Sequence, residues 1–200
     1  MTTMHRLVST LFVSVLLVSG AGTYAVAHDS SGGGGSSDVV FHEGASKLDR
    51  LRFSTARYFD VDEAVERGYE ELRDAAEIAC IDSGDAKVGA MGIHYVKLPL
   101  VGDARIRVRK PELMIYEPQA DGDLELVGVE YVVLKSAWRE AHPQGRPSLF
   151  GQRFALVREP NRYGLPPFYE LHVWSWRDNP TGLFQDYNPD VTCDHAAPPE

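Results

Sequence analysis

The stretch LELVGVEYVVL, Leu124–Leu134, decides the fold. It is rich in β-branched and aromatic side chains and has no helical spacing of its apolar positions, so it reads as a long strand. Strict alternation puts Leu126, Gly128, Glu130, Val132 and Leu134 on one face, and Val127, Val129, Tyr131 and Val133 on the other. Both faces are apolar, so Glu130 has apolar neighbours whichever one is buried. Just upstream, Asp121-Gly122 separates this strand from PELMIYE (Pro111–Glu117) and signals a hairpin.

The same period-two pattern extends outward in both directions. It predicts strands at Met91–Lys97, Arg105–Val108, Leu113–Glu117, Phe150–Arg158 and Tyr169–Arg177, with Gly, Pro, Asp and Asn in the gaps. No helical spacing recurs between these strands, so parallel crossovers are not expected. The expected architecture is α+β: a curved antiparallel sheet, or a partly closed β-barrel, of about six strands with one or two helices packed against it. The helices precede the strands. Asp60 followed by Glu63 resembles a capping box, and Val61, Ala64, Val65, Gly68, Tyr69, Leu72, Ala76, Ala79 and Cys80 recur at helical spacing up to Asp82-Ser83-Gly84-Asp85. A shorter helix is expected within Ala45–Tyr58.

Upstream of the domain, His5 and Arg6 lead into the apolar run LVSTLFVSVLLVSG, Leu7–Gly20, and Ala25-Val26-Ala27 supplies a small-x-small cleavage site. Residues 1–27 therefore read as a secretory signal peptide, with an apolar run too short for a membrane span. Residues 28–38 read as a Gly/Ser tether, residues 39–195 as one domain, and residues 196–200 as a disordered tail. The expected location is secreted or extracytoplasmic, with no membrane span after cleavage. Cleavage removes Arg6 and no acid, so the formal charge moves from −9 to −10. That balance repels nucleic acid and anionic lipid at long range. The one basic run, Arg105–Lys110, aligns Arg105, Arg107 and Arg109 if it is a strand. Such a row suits an aggregation-resistant edge, or a grip on a carboxylate or phosphate. Cys80 and Cys193 are the only cysteines, and in an oxidising compartment they are expected to pair.

Several catalytic signatures are absent from the sequence: GxSxG, a P-loop, GxGxxG, HExxH, CxxC and CxxCH. His42-Glu43 begins a zinc-protease motif, but Ser46 stands where the second histidine belongs. What remains is polar residues on strand faces that read as interior. His94 lies in MGIHYV, Glu130 in GVEYVVL, and His172 in YELHVWSW, where alternation groups it with Glu170, Trp174 and Trp176. A lone buried carboxylate needs a cation, a metal or a proton. Two imidazoles and one carboxylate on neighbouring strands form the ligand set of a mononuclear site for a divalent transition metal such as iron, zinc or copper. Glu112 or Glu170 would supply a fourth ligand or orient an imidazole. Without a metal, Glu130 pairs with an arginine such as Arg153, and the histidines are satisfied core residues. Phe184 and Tyr187, in the turn-rich segment after the last strand, are candidates to plug one end of the sheet.

The run from MGIHYV through PELMIYE and GVEYVVL to LHVWSWRDNPTGLFQDYNPDVTC resembles a group of uncharacterised exported bacterial proteins. The resemblance implies export and a single module, and it carries no activity. Two functions compete on the residues themselves. One is a secreted protein with a mononuclear metal site of unassigned reaction. The other is a non-catalytic binding module for a small apolar or aromatic molecule in the mouth of the sheet. A structural envelope protein is a third reading. The absence of a nucleophile motif leaves enzymatic activity open, with no catalytic residue assigned.

Overall fold

The computed structural model describes residues 46–198, and the signal-peptide and tether segments lie outside them. The first helix, α1 (Lys47–Thr55), opens on a capping box: the Ser46 hydroxyl accepts from the Asp49 amide at 3.1 Å, and the Asp49 carboxylate accepts from the Ser46 amide at 3.0 Å. A 3-10 turn (Ala56–Phe59) leads to α2 (Val61–Glu66), where Asp60 accepts from the Asp62 amide. Leu51 and Ala64 are fully buried and carry both helices onto the sheet.

The long helix expected over residues 61–80 is not formed. Gly68 takes a φ of 81°, a left-handed conformation that ends α2 there. The chain beyond becomes two short strands, β1 (Glu70–Leu72) and β2 (Cys80–Asp82), both paired with β3 (Ala90–Val96). Apolar residues three and four apart mimic helical spacing in this segment. Pairing with a long central strand outweighs that local preference.

A one-turn helix, α3 (Leu98–Val101), precedes β4 (Leu113–Pro118) and β5 (Leu124–Leu134). Next come α4 (Lys135–Ala141), a small hairpin of β6 (Ser148–Leu149) and β7 (Gln152–Arg153), then β8 (Ala155–Val157) and β9 (Phe168–Val173). The seven-stranded sheet is antiparallel throughout, in the order β1-β3-β4-β5-β9-β8 with β2 also on β3. Its edges do not pair with one another, so the sheet is open and no closed barrel forms. Residues 105–108, expected as a strand, are irregular, with Arg107 held by Asp103 at 2.7 Å. The strand expected to reach Arg177 stops at Val173.

A bulge in β5 explains that stop and corrects the face assignment. Tyr116 pairs with Leu126 and Ile115 with Gly128, so Val127 has no partner on β4. Its carbonyl instead accepts from the amides of Trp176 and Arg177, at 3.1 and 2.9 Å, and turns the chain off the sheet. Below the bulge the alternation inverts. Leu126 joins Val129, Tyr131 and Val133 in the main core with Met114, Tyr116 and Phe154. Val127 packs with Ala90, Ile115 and Trp174 in a second cluster on the opposite face. Trp176 leaves the face of Trp174 and packs against the main core, where its indole N–H donates to Thr55 at 3.2 Å.

Cys80 and Cys193 form the expected disulfide, closing a loop of 113 residues. This bond, with the Ala90–Asn188 bridge, returns the segment after β9 to the sheet. Among the described residues no helix is long and apolar enough to cross a membrane.

Gly92 in β3 has a φ of 89°, and a Cβ there would sit 2.5 Å from the Tyr116 carbonyl. Both features exclude a side chain. Gly92→Ala is expected to cost about 2 kcal/mol or more in a denaturant titration and to displace His94, two residues on. A cost below about 0.5 kcal/mol would contradict this close approach.

Candidate metal centre

Three adjacent pairings bring the expected ligands onto one face. His94 of β3 lies opposite Ile115 of β4, Leu113 of β4 opposite Glu130 of β5, and Glu130 opposite His172 of β9. Side chains two residues apart share a face, so His94, Glu130 and His172 all project away from the main core. Two apolar clusters flank them, Ala90, Ile115, Val127, Trp174 and Val191 on one side and Val96, Val101, Leu113, Val132 and Phe168 on the other.

The three side chains are nearly sealed from solvent, with exposures of 1%, 5% and 2%. One potential ligand atom from each lies within 4.8 Å of the others. The two histidine Nε2 atoms are 3.4 Å apart, with the rings nearly perpendicular at 89°. Glu130 places Oε2 3.6 Å from His94 Nε2 and Oε1 3.9 Å from His172 Nδ1. Both Nδ1 atoms are buried without a hydrogen bond of ordinary geometry. The alternative pairing of Glu130 with Arg153 does not occur, because Arg153 is exposed on β7.

Burial dominates the protonation of the group. It lowers the pKa of His94 to about 3, helped by His172 and Arg162 and opposed by the nearby Gly92 carbonyl. Burial alone takes His172 down to about 4. Both imidazoles are therefore neutral near pH 7, the form that ligates metals. Glu130 is pushed well above the usual carboxylate range, first by burial and then by Glu170, with which it shares a hydrogen bond. Glu170 is raised to about 7 by burial and by Asp186, while its hydrogen bond with Glu130 opposes the rise.

Glu170 thus belongs to the site. It lies beside Glu130 and lines the same cavity of about 230 Å³, which is also lined by Arg162, Tyr163 and Tyr187. Glu112 does not. It is completely buried, but its Oε2 accepts from the Val132 amide at 3.2 Å, and it falls outside the group of three. Asp186, missed in the sequence, stands 3.7 Å from His172 Nδ1 and is half exposed. Its only sequence signal is an acid in the turn-rich, aromatic segment between the last strand and Cys193. Phe184 packs against Phe150 on the main core, whereas Tyr187 reaches the cavity.

Two neutral imidazoles with unsatisfied nitrogens, buried beside a cluster of carboxyl groups, form an arrangement that a divalent cation would satisfy. An apolar core would not select these side chains. The donor set of two nitrogens and one oxygen can hold a metal ion and leaves coordination positions for other ligands. No protein-family model, curated protein or solved structure matches this chain.

Proposed function

We propose that the chain is an extracytoplasmic protein that binds one divalent transition metal ion, of the iron, zinc or copper type, through His94, Glu130 and His172. The observation that carries this reading is the buried convergence of the three, with one ligand atom from each within 4.8 Å. Glu170, hydrogen-bonded to Glu130, and Asp186, beside His172, would orient the carboxylate and the imidazole. A bound ion would supply a Lewis-acidic centre next to a cavity of about 230 Å³, room for a small molecule. Export is supported by the amino-terminal signal pattern, the disulfide and the resemblance to exported bacterial proteins.

The competing reading, a binding module for an apolar molecule, finds among the described residues a mainly apolar recess beside the metal group. Val96, Val101, Leu113, Val132 and Phe168 line a gap of about 50 Å³ beside Glu130. That is far below the roughly 300 Å³ at which ligand pockets begin, so the metal reading takes precedence.

Elemental analysis of the purified mature chain tests it. About one equivalent of iron, copper or zinc is expected, falling at least tenfold in His94→Ala and His172→Ala. A chain that takes up none of these ions after incubation with each would end the proposal. So would an unchanged content in His172→Ala.

A further inference from the structure

A second cleft lies away from the metal group. It runs between α1 and the irregular segment 105–110, which both pack on the main-core face of the sheet. It encloses about 730 Å³, and of its eleven lining residues seven are lysine or arginine and none is acidic. The whole chain carries 20 basic against 29 acidic residues, so this concentration runs against its composition. One wall presents Lys47, Arg50 and Arg57; the other presents Arg107, Arg109 and Lys110.

The first wall is built by α1 and the 3-10 turn that follows it. Lys47 and Arg50 lie about 5 Å apart along α1, and Arg57 follows in the 3-10 turn that continues from it. Leu48, Leu51 and Tyr58 carry this wall onto the core. Arg67 is held by Glu63 at 3.1 Å and Arg107 by Asp103 at 2.7 Å. The side chains of Lys47, Arg50, Arg57 and Lys110 have no hydrogen-bond or ion-pair partner among the described residues. Clustering unpaired cations raises the free energy of the folded state, and an anion would relieve that cost. Phe53, 48% exposed, adds an apolar ring surface between the arginines.

We propose that this cleft binds an acidic polysaccharide, a chain of sugars bearing carboxylates at intervals. Guanidinium forks suit carboxylate oxygens, and exposed ring surface suits the apolar face of a sugar. Charges spread along an open cleft call for a multivalent ligand, whereas a single small anion would engage only one or two of them. The acidic remainder of the surface, screened beyond about 8 Å, disfavours denser polyanions such as nucleic acid. This site is independent of the metal reading.

Titration of the full mature chain with polygalacturonate, followed calorimetrically from 20 to about 200 mM salt, tests the proposal. Binding is expected, weakening steeply as salt rises. Arg50→Glu with Arg57→Glu is expected to weaken it at least tenfold, while Arg153→Glu, outside the cleft, leaves it unchanged. If charge reversal lowers the melting temperature, the pair Arg50→Gln and Arg57→Gln replaces it with the same readout. No binding at the lowest salt, or a double variant that binds like the parent, would overturn the site. Equal affinity for monomeric galacturonate would overturn the multivalent ligand. Tighter binding of polyphosphate or single-stranded DNA at equal charge would overturn the polysaccharide.

Discussion

Replacing Cys80 and Cys193 by serine is expected to lower unfolding stability by about 5 kcal/mol in a denaturant titration, the chain-entropy value for so long a loop. The bond closes 113 residues, from the strand beside β3 to the end of the segment that follows β9. Its effect reaches the metal group through that segment. Between Val173 and Cys193 the chain carries Asp186 and Tyr187 to the cavity and is held by the Trp174–Leu183 and Ala90–Asn188 backbone bonds. Without the disulfide, the end of the cover is held only by non-covalent contacts, among them the Thr192 amide on the Glu117 carboxylate at 2.8 Å and buried Val191. The double variant is therefore expected to exchange its amides faster across 183–191 and to lose bound metal more readily on chelation. A loss below about 1 kcal/mol would mean that the unfolded chain is already compact around this pair.

Glu112→Gln is expected to change how stability depends on pH. In the folded chain burial raises the Glu112 carboxyl from 4.5 to about 8, and its Oε1 finds no partner. A raised acid contributes stability that is fully present below its unfolded pKa and is lost as pH rises through its folded value. The parent should therefore lose stability between about pH 4.5 and pH 8, on the order of 4 kcal/mol from this group. The amide cannot ionise and still accepts from the Val132 amide. The variant's advantage is thus expected to grow across that window and to level off above it. Denaturant midpoints measured from pH 4 to 9 check this; parallel curves for the two chains would show that Glu112 is ionised or solvated.

The two acids single out what alternation can and cannot supply. Both Glu112 and Glu130 stand in apolar runs, and from the runs alone either is a candidate ligand. Register separates them. Glu130 lies opposite His172, whereas Glu112 turns to the Val132 amide and away from the imidazoles. Asp186 was beyond reach for a related reason: a loop residue has no face until the loop is placed. The basic cleft was half visible. Arg105, Arg107 and Arg109 form an aligned row only in a strand, but the segment is irregular, and the cations facing Arg107 and Arg109 across the cleft come from α1 and the 3-10 turn after it, about 50 to 60 residues earlier.

Local chemistry was enough to set β3, β4, β5 and β9, the Asp60 cap of α2, the cysteine pair and the oddity of His94, Glu130 and His172 on apolar strands. Such features depend on side-chain shape, on alternation and on turn residues within a few positions of one another. Strand pairing decided the rest. It turned residues 70–82 from an apparent helix into two strands on β3, inverted the faces below Val127, kept the sheet open and brought two histidines and one glutamate together. Those outcomes turn on hydrogen bonds between segments as much as a hundred residues apart, and a one-residue shift in register would move every side chain to the opposite face.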